Sequence, residues 1–253
     1  MWSPATSGVR PALGCFGEPV TLTNRSFTDG VHDLDCRELD LYGDPHTPAP
    51  VRPPGSAGEH ALQCAWGTQD RARRFYRDQV RDRLVPAMRQ FVARMEMVFM
   101  ATADLGGECD ATLRTGPAGF IHVLDDTRLV LPEYRGNGVH ASLGNITENP
   151  HVGLLMVDFV RDLIGLHVNG RARIVGDAQL RRARPDLPVD GAPGRRAHHW
   201  LLVEIEEAYV HCRKHIPRMA MVPRQRAWGS DDPARKGGDY FGTRAAVGPD
   251  GMP

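Results

Sequence analysis

Short apolar segments separated by turn residues, about eight to twelve residues apart, are the feature that most constrains the fold of this chain. They predict seven strands: Met97–Ala103, 110–115, 119–124, 128–131, 151–159, 163–175 and 200–210. No strand–helix–strand repeat accompanies them, so the pattern predicts an antiparallel barrel rather than a doubly wound sheet. The expected fold class is therefore mainly β with flanking helices (α+β).

A leading helix is predicted to begin near Thr68, which is a possible N-cap. The apolar positions that follow recur at steps of four and three residues and give one apolar face: Val80, Leu84, Met88, Phe91 and Met95. Pro86 interrupts this pattern and should kink the helix or divide it in two.

The two ends of the chain differ from the middle. Five prolines fall between residues 45 and 54, and small residues follow them, which favours extended or irregular chain. We therefore predict an extended or poorly ordered arm over residues 1–60, a barrel domain with its leading helix over residues 61–217, and a tail over residues 218–253.

The segment 132–150 predicts an anion site. It follows a short strand, passes two glycines at Gly136 and Gly138, and becomes a short helix that ends before Pro150. A strand that stops at such a turn and opens into a helix presents free backbone N–H groups at the helix start. The segment thus offers a place for a phosphorylated ligand, most simply a cofactor.

Composition excludes several classes of function. Lys plus Arg and Asp plus Glu are both 31, so the formal net charge is zero and nothing indicates a nucleic-acid partner. No apolar run reaches about 18 residues, which predicts no membrane span. The five cysteines show no C-x-x-C spacing, which predicts free thiols, and no leader pattern is visible at the start. We expect a cytoplasmic protein.

Several short motifs between residues 91 and 175 occur in one order. They are ATAD at 101–104, DATLRTG at 110–116, GF at 119–120, LP at 131–132, SLGNI at 142–146, ENPHVGLL at 148–155 and HVNGRA at 167–172. This order resembles the FMN-binding split β-barrel of the pyridoxamine 5′-phosphate oxidase-like family. The resemblance covers about a third of the chain and implies an antiparallel split β-barrel of the FMN-binding type.

The resemblance also implies a homodimer that holds FMN in clefts between its subunits. Arg114 and Ser142 match the positions that grip the flavin phosphate. The alternative role of Arg114 is an ion pair at the rim of the barrel, with Asp104 or Glu133. Thr112, Leu113 and Thr115 would lie beside the flavin. The positions that would line the ring or the ribityl chain are Leu131, Pro132 and Glu133.

Further candidates come from the residues themselves, each with an alternative role. Ser142 and Asn145 either donate to the phosphate or cap the short helix. Arg135 and Asn137 either contact phosphate or ribityl hydroxyls, or serve the turn.

Two candidates lie farther along the chain. His167 either faces the flavin cleft or is a structural histidine. Lys214 is expected to face the flavin or the substrate. A metal site at His211 and His215 has no third ligand, so none is predicted.

The implied function is an FMN-dependent oxidoreductase that acts on an unidentified small molecule. This chain has Ala141-Ser142 where the oxidase proper has an Arg-Lys pair. The Trp and Arg that the oxidase presents near its C-terminus also have no clear match here. Pyridoxamine phosphate is therefore not the expected substrate. Two alternatives remain open. One is a non-catalytic flavin-binding or sensor protein, and the other is a haem- or deazaflavin-binding split barrel. No catalytic residue is identified.

Overall fold

A computed structural model describes residues 54–242 of the chain. Its seven strands are β1 (Met97–Ala103), β2 (Cys109–Thr115), β3 (His122–Val123), β4 (Arg128–Glu133), β5 (His151–Asp158), β6 (Ile164–Gly176) and β7 (His199–His211). They form one sheet in the order β2-β1-β5-β6-β7-β4-β3, and every neighbouring pair is antiparallel. The predicted fold class, an antiparallel split β-barrel with flanking helices, is confirmed.

The strands follow from the alternation of side chains on the two faces of the sheet. In β1, Val98 and Met100 are buried in the core, whereas Phe99 between them points to the other face and is 42% exposed. The main core cluster draws on the same face of β4, β5, β6 and β7, including Leu129, Leu154 and other fully buried side chains. One face of the sheet is thus the core of the barrel.

Close backbone contact shapes the long β6–β7 pair. Its register shifts between Asn169 and Gly170, where the pairing has a bulge. A Cβ atom at Gly170 would lie 2.0 Å from the carbonyl oxygen of Glu204. Glycine is therefore required at this position of the β6–β7 pair.

The third strand is shorter than predicted. The sequence predicts a strand over 119–124, but β3 holds only two residues. Before it, the N–H of Phe120 donates to the carbonyl of Pro117 at 2.9 Å, and Gly119 has a φ of +81°. A turn therefore occupies the first half of the predicted strand, because these backbone groups bond locally rather than across the sheet.

The chain divides into two compact units between Asp78 and Gln79. The described part of the first holds the helices α1 (Ala57–Ala65) and α2 (Gln69–Gln79), the second of which ends at the boundary. Helix α1 begins inside a stretch predicted to be irregular, at a capping box that Ser56 forms with Glu59. Residues 1–53 of the predicted arm (residues 1–60) lie outside the described residues, and the domain boundaries stay predictions.

Pro86 divides the leading helix in two, which is one of the two outcomes expected from the sequence. Helix α2 stops at Gln79, and α3 (Pro86–Val92) starts with Pro86 in its first turn, where a missing N–H costs nothing. The later members of the apolar pattern, Leu84, Phe91 and Met95, are buried in the barrel core. The apolar face predicted from this periodicity is therefore confirmed for α3 and the residues next to it.

Two helices cover the barrel. Helix α4 (Ala141–Glu148) is the predicted short helix, and it packs on β1, β2 and β6. Helix α5 (Asp177–Ala183) was not predicted. It starts directly at the end of β6, where Asp177 accepts hydrogen bonds from Arg181 and from the indole of Trp200 at 2.9 Å. A 3₁₀ turn (Arg213–His215) and helix α6 (Pro233–Lys236) follow β7.

The cysteines agree only in part with the prediction of free thiols. Cys109 and Cys212 are free and exposed, but Cys64 is disulfide-bonded, so the prediction is wrong at that position. Among residues 54–242, no helix is long and apolar enough to cross a bilayer.

Candidate functional site

A cavity of about 440 Å³ lies between β2, the end of β4 and the loop that leads into α4. It brings together most of the predicted site residues: Thr112, Leu113, Arg114, Thr115, Pro132, Glu133, Arg135, Asn137 and Ser142. These side chains come from two segments, 112–115 and 132–142. Because β2 and β4 are not neighbours in the sheet, only the curvature of the barrel makes this cavity possible.

Arg114 and Glu133 form the central contact of the cavity. Nη1 of Arg114 donates to Oε2 of Glu133 at 2.6 Å, and the two side chains are 21% and 15% exposed. Nε of Arg114 is buried and has no hydrogen-bond partner in the part of the chain that the structure describes. An unpartnered buried donor is costly, so the guanidinium is suited to a further acceptor.

Ser142 is placed by Asp110. The Ser142 hydroxyl donates to Oδ2 of Asp110 at 2.9 Å, and Ser142 is buried. Because this O–H already has an acceptor, the group that Ser142 offers to an anion is its backbone N–H. The first hydrogen bond of α4 joins the N–H of Gly144 to the carbonyl of His140 at 2.8 Å, so the preceding N–H groups start the helix without helical partners.

The loop between β4 and α4 forms the rim of the cavity. Oδ1 of Asn137 accepts from the N–H of Val139 at 3.0 Å, and Gly138 has a φ of +86°. Asn137 therefore serves the turn while it lines the cavity. Arg135 is 62% exposed and forms an ion pair with Asp231 at 2.6 Å. This pair joins the rim to the C-terminal tail.

Tyr134 on the same rim remains a neutral phenol. Burial and the nearby Asp190 carboxylate raise the pKa of Tyr134, against a smaller lowering by Arg195. Its hydroxyl can therefore act as a hydrogen-bond donor at neutral pH.

Four predicted residues lie outside this cavity. Leu131 is a core side chain, only 2% exposed. Nδ2 of Asn145 donates to Oγ1 of Thr102 at 3.1 Å and so ties α4 to β1. Lys214 is exposed in the 3₁₀ turn. His167 stacks on Tyr209, away from the residues that line this cavity. Their proposed cofactor roles stay predictions.

His167 belongs to a cluster on β6 and β7. Its ring stacks on Tyr209 with centroids 4.6 Å apart, and its Nε2 lies 3.0 Å from Nδ1 of His211. Burial lowers the pKa of His167, the charge of His211 lowers it further, and Glu207 opposes the shift. Among residues 54–242, no group of three His, Cys, Asp or Glu side chains is arranged to hold a metal ion.

Trp228 and Asp110 are cavity residues that the sequence did not identify as site residues. Trp228 lies in the tail, 86 positions after the last cavity residue of α4 in the chain, and no motif marks it. Its indole contacts the Tyr134 ring edge-on, with centroids 5.5 Å apart. Asp110 was part of a motif, but its pairing with Ser142 depends on the docking of α4. Neither relation leaves a local signal.

The cavity fits a phosphate group in part. Arg114 supplies a guanidinium with a buried free donor, and the start of α4 supplies backbone N–H groups. Against this, the carboxylates of Asp110 and Glu133 also line the wall. Since Glu133 occupies only one nitrogen of Arg114, the remaining donors allow the guanidinium to bind both the carboxylate and a phosphate oxygen.

A split barrel whose cavity between β2 and α4 presents a guanidinium and free backbone N–H groups is therefore the class of protein that the fold and the cavity define. The family model for pyridoxamine 5′-phosphate oxidase matches residues 84–212, slightly more than half of the chain. The chain belongs to this family. The search of curated proteins found no match to the chain.

Solved structures resemble this chain over about half of its length. HupZ of Group A Streptococcus (the H111A form) is 17% identical, covers 50% of this chain and 98% of its own, and has a TM-score of 0.37. A putative pyridoxamine 5′-phosphate oxidase from Listeria innocua is 15% identical, covers 48% of this chain and 92% of its own, and has a TM-score of 0.34. An F420 reductase is 18% identical, covers 50% of this chain and 98% of its own, and has a TM-score of 0.33.

Proposed function

We propose that this protein is an FMN-dependent oxidoreductase that binds the flavin phosphate in the cavity between β2 and α4 and acts on a small molecule. Proteins of its family commonly bind flavin, and the family match includes the whole of this cavity except Trp228. The observation that carries the proposal is the buried, unpartnered Nε of Arg114 beside the start of α4.

The residues divide the task of holding the phosphate. Arg114 supplies the positive charge and can donate hydrogen bonds in two directions. Glu133 fixes the plane of the Arg114 guanidinium through the 2.6 Å contact. The backbone N–H groups of Ala141 and Ser142 supply donors that need no side-chain movement. Asp110 holds Ser142 in place, so the helix start is kept in one position before a ligand arrives.

The edge strand supplies the surface for a planar ring. Leu113 is 52% exposed at the cavity edge, and Thr112 and Thr115 flank the positions beside it. An apolar side chain at this edge excludes water from one side of a ring, while the threonine hydroxyls offer hydrogen bonds. Bound FMN would supply the ring that accepts a hydride from the substrate.

The proposal includes a homodimer formed through the outer face of the sheet. Cross-strand pairing places one row of side chains across five strands: Leu113, Phe99, Leu155, His167 and Tyr209. Phe99 and Leu113 are about half exposed in the single chain. A continuous apolar and aromatic row on an outer sheet face is typical of a contact surface between proteins. A second copy seated on this row would border the cavity at Leu113.

The absorption spectrum of the protein as purified, followed by titration with FMN, tests the proposal. A flavin spectrum, or saturable uptake of FMN with one site per chain, supports FMN binding, and reduction by a substrate followed by reoxidation supports the enzyme. A flavin that never turns over identifies the non-catalytic binder. An intense Soret band, or uptake of a deazaflavin in preference to FMN, replaces FMN by another cofactor. A protein that takes up no flavin refutes the proposal.

A further inference from the structure

A second, larger cavity of about 960 Å³ adjoins the proposed flavin site. The two cavities share Thr115, Arg135, Asn137 and Trp228 in their walls. The other wall of the larger cavity is the tail, residues 221–236, which lies beyond the family match ending at residue 212. This cavity therefore has one wall inside the family match and one wall beyond it.

The larger cavity carries an excess of positive charge. Five cationic side chains and one carboxylate line it: Arg135, Arg224, Arg226, Arg235, Lys236 and Asp231. Asp231 is shared by Arg135 at 2.6 Å and Lys236 at 3.1 Å, which leaves one carboxylate for two cations. Hydrogen bonding by Lys236 and the charge of Arg135 lower the pKa of Asp231, so it is ionised at neutral pH.

Arg224 is the cation that remains. Arg226 pairs with Glu96 at 2.7 Å, and Arg235 pairs with Asp232 at 3.5 Å. Within residues 54–242, Arg224 has no ion-pair partner. A cation that faces a cavity without a counter-charge, beside a pair that already shares one carboxylate, favours an anion in that cavity.

The tail is held against the barrel by specific contacts. Arg226 donates to the carbonyl oxygen of Gly116 at 3.1 Å, and its guanidinium lies 6.0 Å from the Trp228 ring. A Cβ atom on Gly194 would lie 2.2 Å from the backbone nitrogen of Gly229, and both glycines have positive φ. Such close backbone packing admits only glycine, so the cavity wall is a built part of the fold.

We propose that this cavity is the subsite for an anionic group of the substrate, a carboxylate or a phosphate ester, and that Arg224 is its principal binding residue. Trp228 is the shared wall, so a substrate anion held at Arg224 would place the rest of the molecule next to the flavin site. The inference rests on the proposed function for its substrate role, but the anion site itself is testable without flavin.

Calorimetric titration tests the site with two probes, inorganic phosphate and malonate, at constant ionic strength maintained with sodium chloride. The titrations use the full-length protein with and without saturating FMN. The variant is Arg224→Gln, and the matched control is Arg218→Gln, an exposed arginine of the same tail outside the cavity. A further variant, Arg114→Gln, reports binding at the proposed flavin phosphate site.

We expect at least one probe to bind the FMN-saturated wild type, with affinity at least fivefold weaker in Arg224→Gln and within twofold in Arg218→Gln. Binding of phosphate alone indicates a phosphate ester, and binding of malonate alone a carboxylate. Equal affinity in Arg224→Gln and the wild type, or binding lost only in Arg114→Gln, overturns the subsite. If FMN does not bind, the proposed function fails, and the titration without FMN still decides the anion site.

Discussion

Nη1 of Arg114 on β2 lies 2.6 Å from Oε2 of Glu133 at the end of β4. Four strands separate β2 from β4 in the sheet order. In a flat sheet these strands would lie about 24 Å apart, at roughly 4.8 Å per strand. The ion pair is therefore direct evidence that the sheet curls into a barrel. The proposed flavin phosphate site lies where β2 and β4 approach each other in the curled sheet.

Replacing Arg114 with Gln should weaken FMN binding about 10- to 100-fold, because hydrogen bonds to a charged group contribute about 1.5–3 kcal/mol. Fluorescence quenching of FMN measures the change. Arg173→Gln, an exposed strand arginine outside the cavity, is the control and should bind as the wild type does. Unchanged FMN affinity in a folded Arg114→Gln protein would remove Arg114 from the site.

Replacing Glu133 with Gln should have the opposite effect. It removes a negative charge from the cavity wall, while the amide oxygen of Gln can still accept from Arg114 and hold the plane of its guanidinium, so FMN should bind a few-fold more tightly. The same titration measures this change, and the double variant Arg114→Gln/Glu133→Gln should lose the gain. Weaker binding in Glu133→Gln would indicate that the carboxylate is needed to orient Arg114.

The proposed dimer predicts that Phe99→Glu yields monomers, because the new carboxylate would be buried in the contact surface without a partner. Light scattering coupled to size-exclusion chromatography measures the mass. Val189→Glu, at a 75% exposed position outside this row, should leave the mass unchanged. A wild-type protein that is monomeric at high concentration would contradict the dimer.

The His167 cluster predicts that stability falls in mild acid. The folded state holds His167 neutral to lower pH than the unfolded chain does, since burial and the charge of His211 lower its pKa from 6.5. Protonation below about pH 6.5 therefore favours the unfolded chain, and the free energy of unfolding falls as the pH decreases. His167→Gln should show a shallower fall in urea titrations between pH 7 and 5. The exposed His199→Gln is the control, and an identical slope in all three proteins would exclude this role.

The core should tolerate loss of volume poorly at β5. Leu154 is 1% exposed in the main core cluster, so Leu154→Ala should lower the free energy of unfolding by about 2–5 kcal/mol. Leu105→Ala, at an 80% exposed turn position, should change it by less than about 0.5 kcal/mol. Urea denaturation of both variants gives the comparison. Equal effects would mean that the core is assigned to the wrong face of the sheet.

Local patterns predicted most of the strands and two helix starts, that of α2 directly after Thr68 and that of α4. β1 has the predicted bounds, and α4 begins after the glycines of the β4–α4 loop, because alternation and turn residues act within a few positions. The capping box at Ser56 also carries a local signal, which a search for Ser-x-x-Glu would have found. The length of β3 was predicted wrongly, because a local turn takes the backbone groups in the first half of the predicted strand.

What the sequence by itself determined is therefore the succession of strands along the chain, the split-barrel class and the segment that opens into α4. Only the tertiary structure decided which groups meet there: Arg114 with Glu133, Ser142 with Asp110, and Arg135 with Asp231 of the tail. The physical reason is distance along the chain. Periodicity records which face of an element is apolar, but a contact between residues 96 positions apart exists only after the sheet has curled and the tail has packed against it.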